Sequence, residues 1–330
     1  MTSTPTLGAK VPPLGGLDDV ETARKLDAAG YETLWVGELW SGDAFVRLTR
    51  MADAVESAAL GTAIVNVFSR SPAALAGAAA TLDQTAPNGV RLGIGTSTPK
   101  AIEDLHGMPF DRPIRRVHET AEIVREFTSG EGRVNYEGEL FELADFPALD
   151  ADVAIDVASL GASNRRATGR VGDGWLPHNI PFSHLEDAFE TIADTAEEAG
   201  RDPGDIRTMP YVPSVVSDDP EAATAAVRGH VAYYVGSGEG YRRAVARKFP
   251  DEADEIAEAW RSGDRESARA AVTDEMVADL GVAGTAEEAR EKLAEVAANP
   301  VIDEPIVVVP DSADAETAAR TLEALAPDAF

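Results

Sequence analysis

The sequence predicts an α/β protein whose strands and helices alternate and close into a (βα)8 TIM barrel. Strand-like apolar segments alternate with helical segments along the 330 residues, which predicts parallel strands joined by helical crossovers. Eight strands can be counted, and a barrel of this size commonly forms one domain. An open doubly wound sheet is the alternative, but it usually has fewer strands and a glycine-rich first turn, which VPPLGGLDD resembles poorly. We therefore expect a single domain over residues 1–330.

Four strands are predicted in the first half of the chain. They are TLGAKV (6–11), ETLWVG (32–37), LGTAIVNV (60–67) and VRLGIG (90–95). The helices between them carry recognisable boundary residues: Gly30 ends the first, Asp43 caps the second and Pro72 starts the third. Pro113 opens a long helix, and VNYEGELFEL after it alternates as a hairpin does, with Glu137-Gly138 at the turn.

The second half repeats this alternation and then departs from it. Its predicted strands are DVAIDVAS (152–159), a strand within DGWLPHN (173–179), DIRTMPYVPSVVSDD (205–219) and EPIVVVPD (304–311). The last two strands are separated by a mostly helical segment, at about residues 217–300. A crossover needs only about a dozen residues. We therefore expect a helical insertion between strands seven and eight, which serves as a cap or an interface.

The charge balance is unusually acidic. Asp and Glu total 58 against 29 Lys and Arg, a formal net charge of −29. In concentrated salt the Debye length falls to roughly 3 Å, which quenches the self-repulsion of such a surface while keeping it soluble. The composition predicts a halophilic protein with an acidic surface. It disfavours nucleic-acid and anionic-membrane partners, because no basic stripe is present.

Several other classes are excluded or disfavoured by composition. The chain has no cysteine, which excludes disulfides, thiolate metal sites and cysteine nucleophiles. No apolar run is long enough to cross a bilayer, and the N-terminus lacks the pattern of a secretion signal. The five histidines show no metal-ligand spacing, so we expect no metal. A cytoplasmic location is the default expectation.

The carboxyl ends of barrel strands are where an active site is expected. The second strand ends at Glu38, the third at Val65 and Asn66, and the fourth at Gly95, Thr96 and Ser97. Glycine allows close backbone approach, and N–H groups at a helix start can receive phosphate oxygens. Aromatic residues that could wall a substrate pocket are Trp40, Trp175, Tyr233 and Tyr234.

Six segments carry a resemblance to a known family. They are GYETLWVGE, GTAIVNVFSRSPAALA, LDQTAPNGVRLGIGTS, RPIRRVHETAEIVREFTSGEGRVNYEGELFEL, GASNRRATGRVGDGWL and VTDEMVADLGVAGTAEEAREKL. In this order and spacing they resemble the bacterial-luciferase-like oxidoreductases, most closely the branch that uses coenzyme F420, and especially the methylene-tetrahydropterin reductases. The resemblance covers nearly the whole chain and implies the same barrel. With the acidic composition, it suggests a haloarchaeal source.

The resemblance implies which residues hold a flat, anionic cofactor. In relatives a bulge after the third strand, often with a non-proline cis peptide, supports the ring from behind, and the matching bond here is Ala63–Ile64. Asn66 would bond to the ring edge, and Arg70 would hold this loop closed or reach an acidic partner. The implied cofactor residues are Glu38, Ala63, Ile64, Val65, Asn66, Gly95, Thr96, Ser97, Ala158, Leu160, Gly161, Ala162 and Ser163, with Arg165 and Arg166 directly after them.

The proton-handling residues of the family are only partly matched. Relatives that oxidise alcohols or sugar phosphates carry an acidic residue followed by His after the second strand, whereas this chain has Leu39 after Glu38. They also carry Glu in the fourth turn, where Thr98 stands here. These departures disfavour an alcohol or glucose-phosphate dehydrogenase. Three acid–base candidates remain, Glu38, Lys10 and His178.

The resemblance therefore implies an F420-dependent oxidoreductase that transfers a hydride between the deazaflavin and a small organic molecule, with methylene-tetrahydropterin or folate reduction as one specific reading. An FMN-dependent monooxygenase and a flavin-binding protein without catalysis are the alternatives. Relatives commonly dimerise through helices beside the barrel, so a homodimer is expected. An unrelated barrel hydrolase or aldolase is disfavoured, because no Schiff-base lysine or metal cluster is evident.

Overall fold

Eleven parallel strands form one curled sheet in the computed structural model, which describes residues 4–13, 17–39 and 42–330. Trp40 and part of the VPPLGGLDD segment lie outside the described residues. A separate two-stranded antiparallel sheet is a hairpin. The strands are β1 Gly8–Lys10, β2 Thr33–Val36, β3 Ala59–Thr62, β4 Val65–Asn66, β5 Val90–Gly95, β6 Arg133–Glu137, β7 Glu142–Pro147, β8 Val153–Val157, β9 Gly174–Trp175, β10 Arg207–Thr208, β11 Tyr211–Val216, β12 Val282–Gly284 and β13 Ile306–Val308.

The sheet closes on itself because residues 207–216 pair on both sides. β10 pairs with β9, while β11 pairs with β13, which in turn pairs with β1. Between the two strands, the Met209 N–H donates to the Trp175 carbonyl at 2.9 Å, and the Ile306 N–H donates to the Pro210 carbonyl at 2.8 Å. The predicted α/β barrel is thereby confirmed.

Helices surround the barrel. They are α1 Asp19–Ala28, α2 Ala44–Ala52, α3 Pro72–Asp83, α4 Pro113–Thr128, α5 Ala162–Val171, α6 Leu185–Glu198, α7 Pro220–Ser237, α8 Glu239–Val245, α9 Pro250–Ser262, α10 Arg265–Ala270, α11 Asp274–Leu280, α12 Ala286–Ala297 and α13 Ala315–Ala324. The predicted boundary residues hold: the Asp43 side chain accepts from the Val46 N–H, and Pro72 and Pro113 occupy first turns.

The structure departs from the predicted elements at several points. The third and seventh predicted strands are each divided, at Ala63–Ile64 and at Met209–Pro210. The fourth turn leads into a π-helical turn, Ala101–Leu105, where a regular helix was expected. β12 was not predicted, because three residues between two helices give no alternating pattern. It pairs with β11 and extends the sheet beyond the closed barrel.

Helices α7–α11 lie between β11 and β12 and share an apolar core of their own. Val231, Val245, Ile256 and Met276 are fully buried in it. Because apolar burial stabilises by roughly 25 cal/mol per Å², this core fixes the helices as one unit beside the barrel. That they are an insertion relative to a simple barrel, as the length of residues 217–300 suggested, stays a prediction.

The amino end of the barrel interior contains paired charges. Asp156 is fully buried and accepts from Arg91 at 3.0 and 2.6 Å. Glu304, also fully buried, accepts from Arg207 at 2.9 Å and from the Trp35 indole N–H at 3.3 Å. Burial raises the pKa of both carboxyls, and the guanidiniums oppose that shift. These pairs join strands that are far apart in the sequence.

No helix in the described part of the chain is both long and apolar enough to cross a membrane.

Removing one partner of the Arg91–Asp156 pair leaves a buried charge without compensation. We expect Asp156→Asn to lower the free energy of unfolding by about 3 kcal/mol. The matched control is Glu295→Gln, which alters the exposed Lys292–Glu295 pair and should change it by less than about 1 kcal/mol. Denaturant unfolding at fixed KCl, followed by tryptophan fluorescence, measures both. Equal effects would contradict the structural role of the buried pair.

The net charge of −29 also predicts a salt requirement for stability. Lowering KCl from about 2 M to about 0.1 M lengthens the Debye length roughly four- to fivefold, so we expect the unfolding midpoint temperature to fall. NaCl should replace KCl, and sucrose at equal osmolality should not. A midpoint that is independent of salt would contradict adaptation to concentrated salt.

Candidate functional site

Strand ends converge around the Ala63–Ile64 bond, which is cis as the resemblance implied. A Cβ at Gly37 would lie 3.0 Å from the Ala63 carbonyl oxygen and 3.1 Å from the Lys10 Cε. The carboxyl ends of β1, β2 and β3 therefore meet at this bond. Only glycine at position 37 leaves room for them.

The other side of the same bond meets the ends of β5 and β8. A Cβ at Gly95 would lie 3.1 Å from the Ile64 Cδ1 and 3.2 Å from the Ala158 Cβ. Below them the barrel is filled by buried apolar residues that include Trp35 and Leu176. Ala63, Ile64, Gly95 and Ala158 thus form one small-residue floor, which we call the seat. Val65, in β4 directly after it, is fully buried core.

The turn after β5 has an unusual backbone. Ser97 has φ 56°, in the left-handed region that glycine usually occupies. The Thr96 hydroxyl donates to the Ser97 carbonyl at 3.1 Å, and the Thr98 hydroxyl accepts from the Ala101 N–H at 3.2 Å. Non-glycine residues in this region are often found at binding sites. The cofactor contact expected of Thr96 and Ser97 stays a prediction.

Helix α5 starts in open space after the Leu160 turn. Gly161 is its N-cap, no side chain caps it, and a Cβ at Gly161 would meet nothing within 4 Å. The first N–H groups of an uncapped helix are available to an anion. The predicted residues Leu160, Gly161, Ala162 and Ser163 therefore form a free helix start at the barrel mouth.

Three arginines stand at this helix start. Arg165 is buried and Arg166 donates to the Ser163 hydroxyl at 3.3 Å. Within the described residues, neither they nor Arg247 has a carboxylate within 4.0 Å, although the chain has two acidic residues for each basic one. Burial, then the positive charges of Arg247 and Arg166, lower the pKa of the Arg165 guanidinium. Positive charge is therefore concentrated here without protein counter-ions.

Asn66 is largely occupied by its own loop. Its side-chain oxygen accepts from the Phe68 N–H at 3.0 Å and from the Ser69 N–H at 2.8 Å. Its Nδ2 lies 3.3 Å from the His106 Nε2. This local bonding explains the polar turn after an apolar strand. It leaves the amide nitrogen as the group that could reach a ring edge.

Glu38 is held in an ion pair. Arg70 donates to both of its oxygens at 2.6 Å, and the Ala44 N–H donates to it at 3.2 Å. Arg70 also contacts Asp43 at 2.5 Å. Of the two alternatives for Arg70, the structure thus shows an acidic partner. A carboxylate fixed in this way is poorly suited to exchange protons, so Glu38 is the weakest of the three acid–base candidates.

Lys10 and His178 lie together at the mouth. Lys10 is mostly buried and its Nζ lies 3.8 Å from Asp311. The His178 Nε2 lies 3.0 Å from the Nε2 of His230, which comes from α7. Burial lowers the pKa of both histidines, to about 3 for His230, and the Lys10 charge lowers both further. His230 lies 52 positions after His178, and no spacing in the sequence links the two, so their contact was not predictable from the sequence.

Tyrosines enclose the histidine pair. The His178 ring centroid is 4.9 Å from that of Tyr211, 4.3 Å from Tyr234 and 5.5 Å from Tyr241. Trp175 is instead fully buried in the core and bonds to the Ser159 carbonyl at 2.8 Å. Of the aromatic residues predicted to wall a pocket, Tyr234 is beside the pair, and Tyr233 contacts the Tyr234 ring at 5.0 Å.

Several buried polar atoms near the strand ends have no hydrogen-bond partner among the described residues. They are both amide atoms of Asn179, the Tyr211 hydroxyl, the Asn164 Oδ1 and the Arg165 Nε, and five further such atoms lie elsewhere, in Arg47, Arg115, Arg116, Thr120 and Thr208. Asn179 also has φ 56°. Buried polar atoms are normally satisfied, so this group fits a site completed by a bound polar molecule. Asn179 was not predicted, because a single Asn after a strand carries no distinctive signal.

Two open surface cavities lie away from the mouth. One of about 650 Å³ is lined by α4 and the hairpin, and one of about 730 Å³ lies between α7 and α9. Arg125 and Arg242 in their walls are already paired with carboxylates. In the described ranges, no three His, Asp or Glu side chains are grouped to hold a metal ion.

The histidine pair predicts a stability loss in acid. Both imidazoles are neutral in the folded protein and take up protons below about pH 6.5 when unfolded. Each histidine should therefore lower the free energy of unfolding by about 2 kcal/mol at pH 5 relative to pH 7. The double variant His178→Asn/His230→Asn should lose correspondingly less stability over this range. Denaturant unfolding at both pH values tests this, and identical pH dependence of variant and parent would contradict it.

Comparison with known proteins agrees with this arrangement. The sequence model of the luciferase-like monooxygenase family matches residues 9–304. A Mycobacterium tuberculosis protein named for a coenzyme F420-dependent oxidoreductase activity is 28% identical over 302 residues, which are 83% of this chain and 86% of that protein. The 5,10-methylenetetrahydromethanopterin reductase of Archaeoglobus fulgidus is 26% identical over 275 residues, which are 81% and 82% of the two chains.

A solved structure shares the fold across almost the full length. The coenzyme F420-dependent tetrahydromethanopterin reductase of Methanopyrus kandleri superposes with a TM-score of 0.80 at 21% identity, covering 98% of each chain. The matched family range takes in the seat, the helix start and the histidine pair. The chain belongs to the luciferase-like monooxygenase family.

Proposed function

We propose that this protein is a coenzyme F420-dependent oxidoreductase, which transfers a hydride between the deazaflavin and a small organic substrate. The observation that carries the proposal is the uncapped start of α5, where Arg165, Arg166 and Arg247 stand without carboxylate partners. Other arginines of the described residues, among them Arg24, Arg116 and Arg170, also have no carboxylate within 4.0 Å, so it is the grouping of three at an uncapped helix start that supports an anion site. The Mycobacterium tuberculosis relative and the Methanopyrus kandleri structure, both named for coenzyme F420, support the same assignment.

The seat supports a flat ring on top of it. Ala63, Ile64, Gly95 and Ala158 have small or flat-lying side chains and backbone close to one another. A planar heterocycle needs such a floor, because any larger side chain would occupy the space of the ring. The Asn66 Nδ2, which also contacts the His106 Nε2, and the Thr96–Ser97 turn would then border the ring.

The start of α5 supports the anionic tail. Backbone N–H groups of Ala162 and Ser163 and the helix dipole favour a phosphate. Arg166 and Arg247 supply charge from two different elements, and Gly161 leaves the approach open. The orphaned Asn164 and Arg165 atoms offer further donors or acceptors within the same turn.

When bound, the coenzyme supplies a hydride donor or acceptor carbon. The protein residues do the rest: the seat orients the ring, and the tyrosines around His178 exclude water from one side of the mouth. Because electrostatic effects are stronger in such a dry site, Lys10 and the histidine pair act strongly on any charge that develops beside the seat. Glu38 and Arg70 hold the loop that follows the seat.

Two candidate reactions follow from the relatives. The pterin reductases among the relatives suggest methylene-tetrahydropterin or folate reduction. The family description also covers monooxygenases, so an FMN-dependent monooxygenase is the second candidate function. A homodimer, a cytoplasmic location and a haloarchaeal source stay predictions.

Coenzyme titration separates the two candidates. We expect F420 to bind with quenching of its fluorescence and FMN to bind much more weakly, in about 2 M KCl. Tighter binding of FMN than of F420 would contradict the proposal and favour the monooxygenase.

The tail contact can be tested with matched arginine variants. Arg166→Gln and Arg247→Gln should each weaken F420 binding about fivefold, because an exposed charged contact is worth about 1 kcal/mol. Arg170→Gln, at the far end of α5, is the control and should have no effect. Binding of a deazaflavin without the phosphate-bearing tail should be unchanged in all three. An equal loss of F420 affinity in the Arg170→Gln control, or no loss of affinity in the variants at positions 166 and 247, would contradict the tail site.

A further inference from the structure

The His178–His230 pair has a feature that neither its burial nor its packing requires. Its Nε2 atoms are 3.0 Å apart, and this contact is a hydrogen bond only if one nitrogen carries a proton and the other does not. The ring with the free Nε2 then carries its proton on Nδ1. The two imidazoles must therefore have opposite tautomers, and each ring fixes the tautomer of the other.

The pair is also placed to act at the mouth. His178 follows β9 at the carboxyl end of the barrel, next to Asn179. The charge of Lys10 acts on His178, and the Lys10 Cε lies 3.1 Å from the Cβ position of Gly37, which lies 3.0 Å from the Ala63 carbonyl oxygen. His230 comes from α7. The pair thus joins the strand-end region to a helix beside the barrel.

The groups that face the pair are neutral or positive, with one distant carboxylate. Tyr211 from β11, Tyr234 from α7 and Tyr241 from α8 surround His178, and their pKa values are raised, to about 12 for Tyr241. Lys10 from β1 adds a positive charge, and its partner Asp311 is half exposed at 3.8 Å. Glu38 is bound to Arg70. This surrounding disfavours an imidazolium and favours an oxyanion.

We propose that His178 and His230 form a neutral proton relay, in which His178 exchanges a proton with the oxygen of a neutral carbonyl or alcohol substrate and His230 holds the His178 tautomer. The proposal rests on the proposed function, since the deazaflavin supplies the hydride. In these roles His178 is the catalytic residue and His230 is a positioning residue. The relay would do the work of the His and Glu that this chain lacks after its second and fourth strands.

The step balances without another reagent. The substrate carbonyl carbon receives a hydride with its electron pair from the reduced coenzyme, and the C=O π pair becomes available on oxygen. The His178 Nδ1–H gives its proton to that oxygen, and the His178 Nε2 takes the proton of His230 Nε2. His230 takes up a proton from the solvent at Nδ1, and the reduced coenzyme releases one proton to the solvent as it gives up its hydride. The charge therefore balances, both rings stay neutral and only the direction of their hydrogen bond reverses. Alcohol oxidation is the same sequence reversed.

An iminium substrate fits this site less well. Hydride transfer to an iminium gives a neutral amine and requires no proton, so the relay would have no role. The iminium would also bring a positive charge close to Lys10, whose charge acts on both histidines. Lys10 would instead stabilise the negative charge that develops on a carbonyl oxygen.

The tautomers can be measured without turnover. Nitrogen-15 NMR of histidine-labelled protein should show both rings neutral at pH 7, one protonated on Nδ1 and the other on Nε2. His230→Asn should turn His178 into a mixture of tautomers. Two identical tautomers, or a charged ring at pH 7, would overturn the relay.

Single-turnover measurements test the chemistry. Protein loaded with reduced F420 is mixed with acetone, cyclohexanone or benzaldehyde, and with 2-methyl-3,4-dihydroisoquinolinium as an iminium probe. We expect at least one carbonyl to oxidise the coenzyme faster than the iminium does. His178→Asn should slow this about 100-fold, and His230→Asn should slow it and shift its pH profile. His118→Asn, which alters an α4 histidine paired with Glu122, should have no effect.

The outcomes separate this inference from the proposed function. Failure of the unaltered protein to bind F420 would refute the function and the relay together. Binding of F420 with turnover of the iminium alone, with turnover of no carbonyl, or with carbonyl rates unchanged in His178→Asn would overturn the relay and leave the coenzyme assignment in place.

Discussion

The two ends of the barrel interior differ in whether their buried polar and charged groups have partners. At the amino end, Arg91 with Asp156 and Arg207 with Glu304 are paired inside the cylinder, so that end is closed and specific to one strand order. At the carboxyl end, polar atoms of Asn179 and others are buried without partners. Buried polar groups are tolerated when something satisfies them. The amino end therefore satisfies its buried charges internally, whereas the carboxyl end has buried polar atoms that the proposed ligand would satisfy.

A chain with a net charge of −29 would repel an anionic coenzyme of the kind proposed, and salt weakens that repulsion only beyond the Debye length. Close contact would need local positive charge. Arg165 and Arg166 of α5, with Arg247 nearby, would provide it, and Lys10 is the corresponding charge at the seat. The chain thus combines an acidic composition with basic groups at the strand ends.

Much of the fold and part of the site were predictable from local patterns. Strand and helix alternation, the boundary residues Asp43 and Pro72, and the closing of eight units into a barrel follow from periodicity and capping, which are local properties. The cis bond at Ala63–Ile64 and the turns at Gly95 and Leu160 came from resemblance, and the structure brings them together. The division of two strands and the short β12 were missed, because two or three residues carry no period.

The sequence by itself determined the class of the protein: an acidic α/β barrel with cofactor-type turns at its strand ends. Only the tertiary structure decided which side chains meet there. It placed Glu38 against Arg70 and joined His178 to His230 across 52 positions. It also left Arg165 and Arg166 of α5 without carboxylate partners within the described residues. The physical reason is that periodicity and capping act over a few residues, whereas pairing in space depends on how distant elements pack, and a linear pattern does not record that.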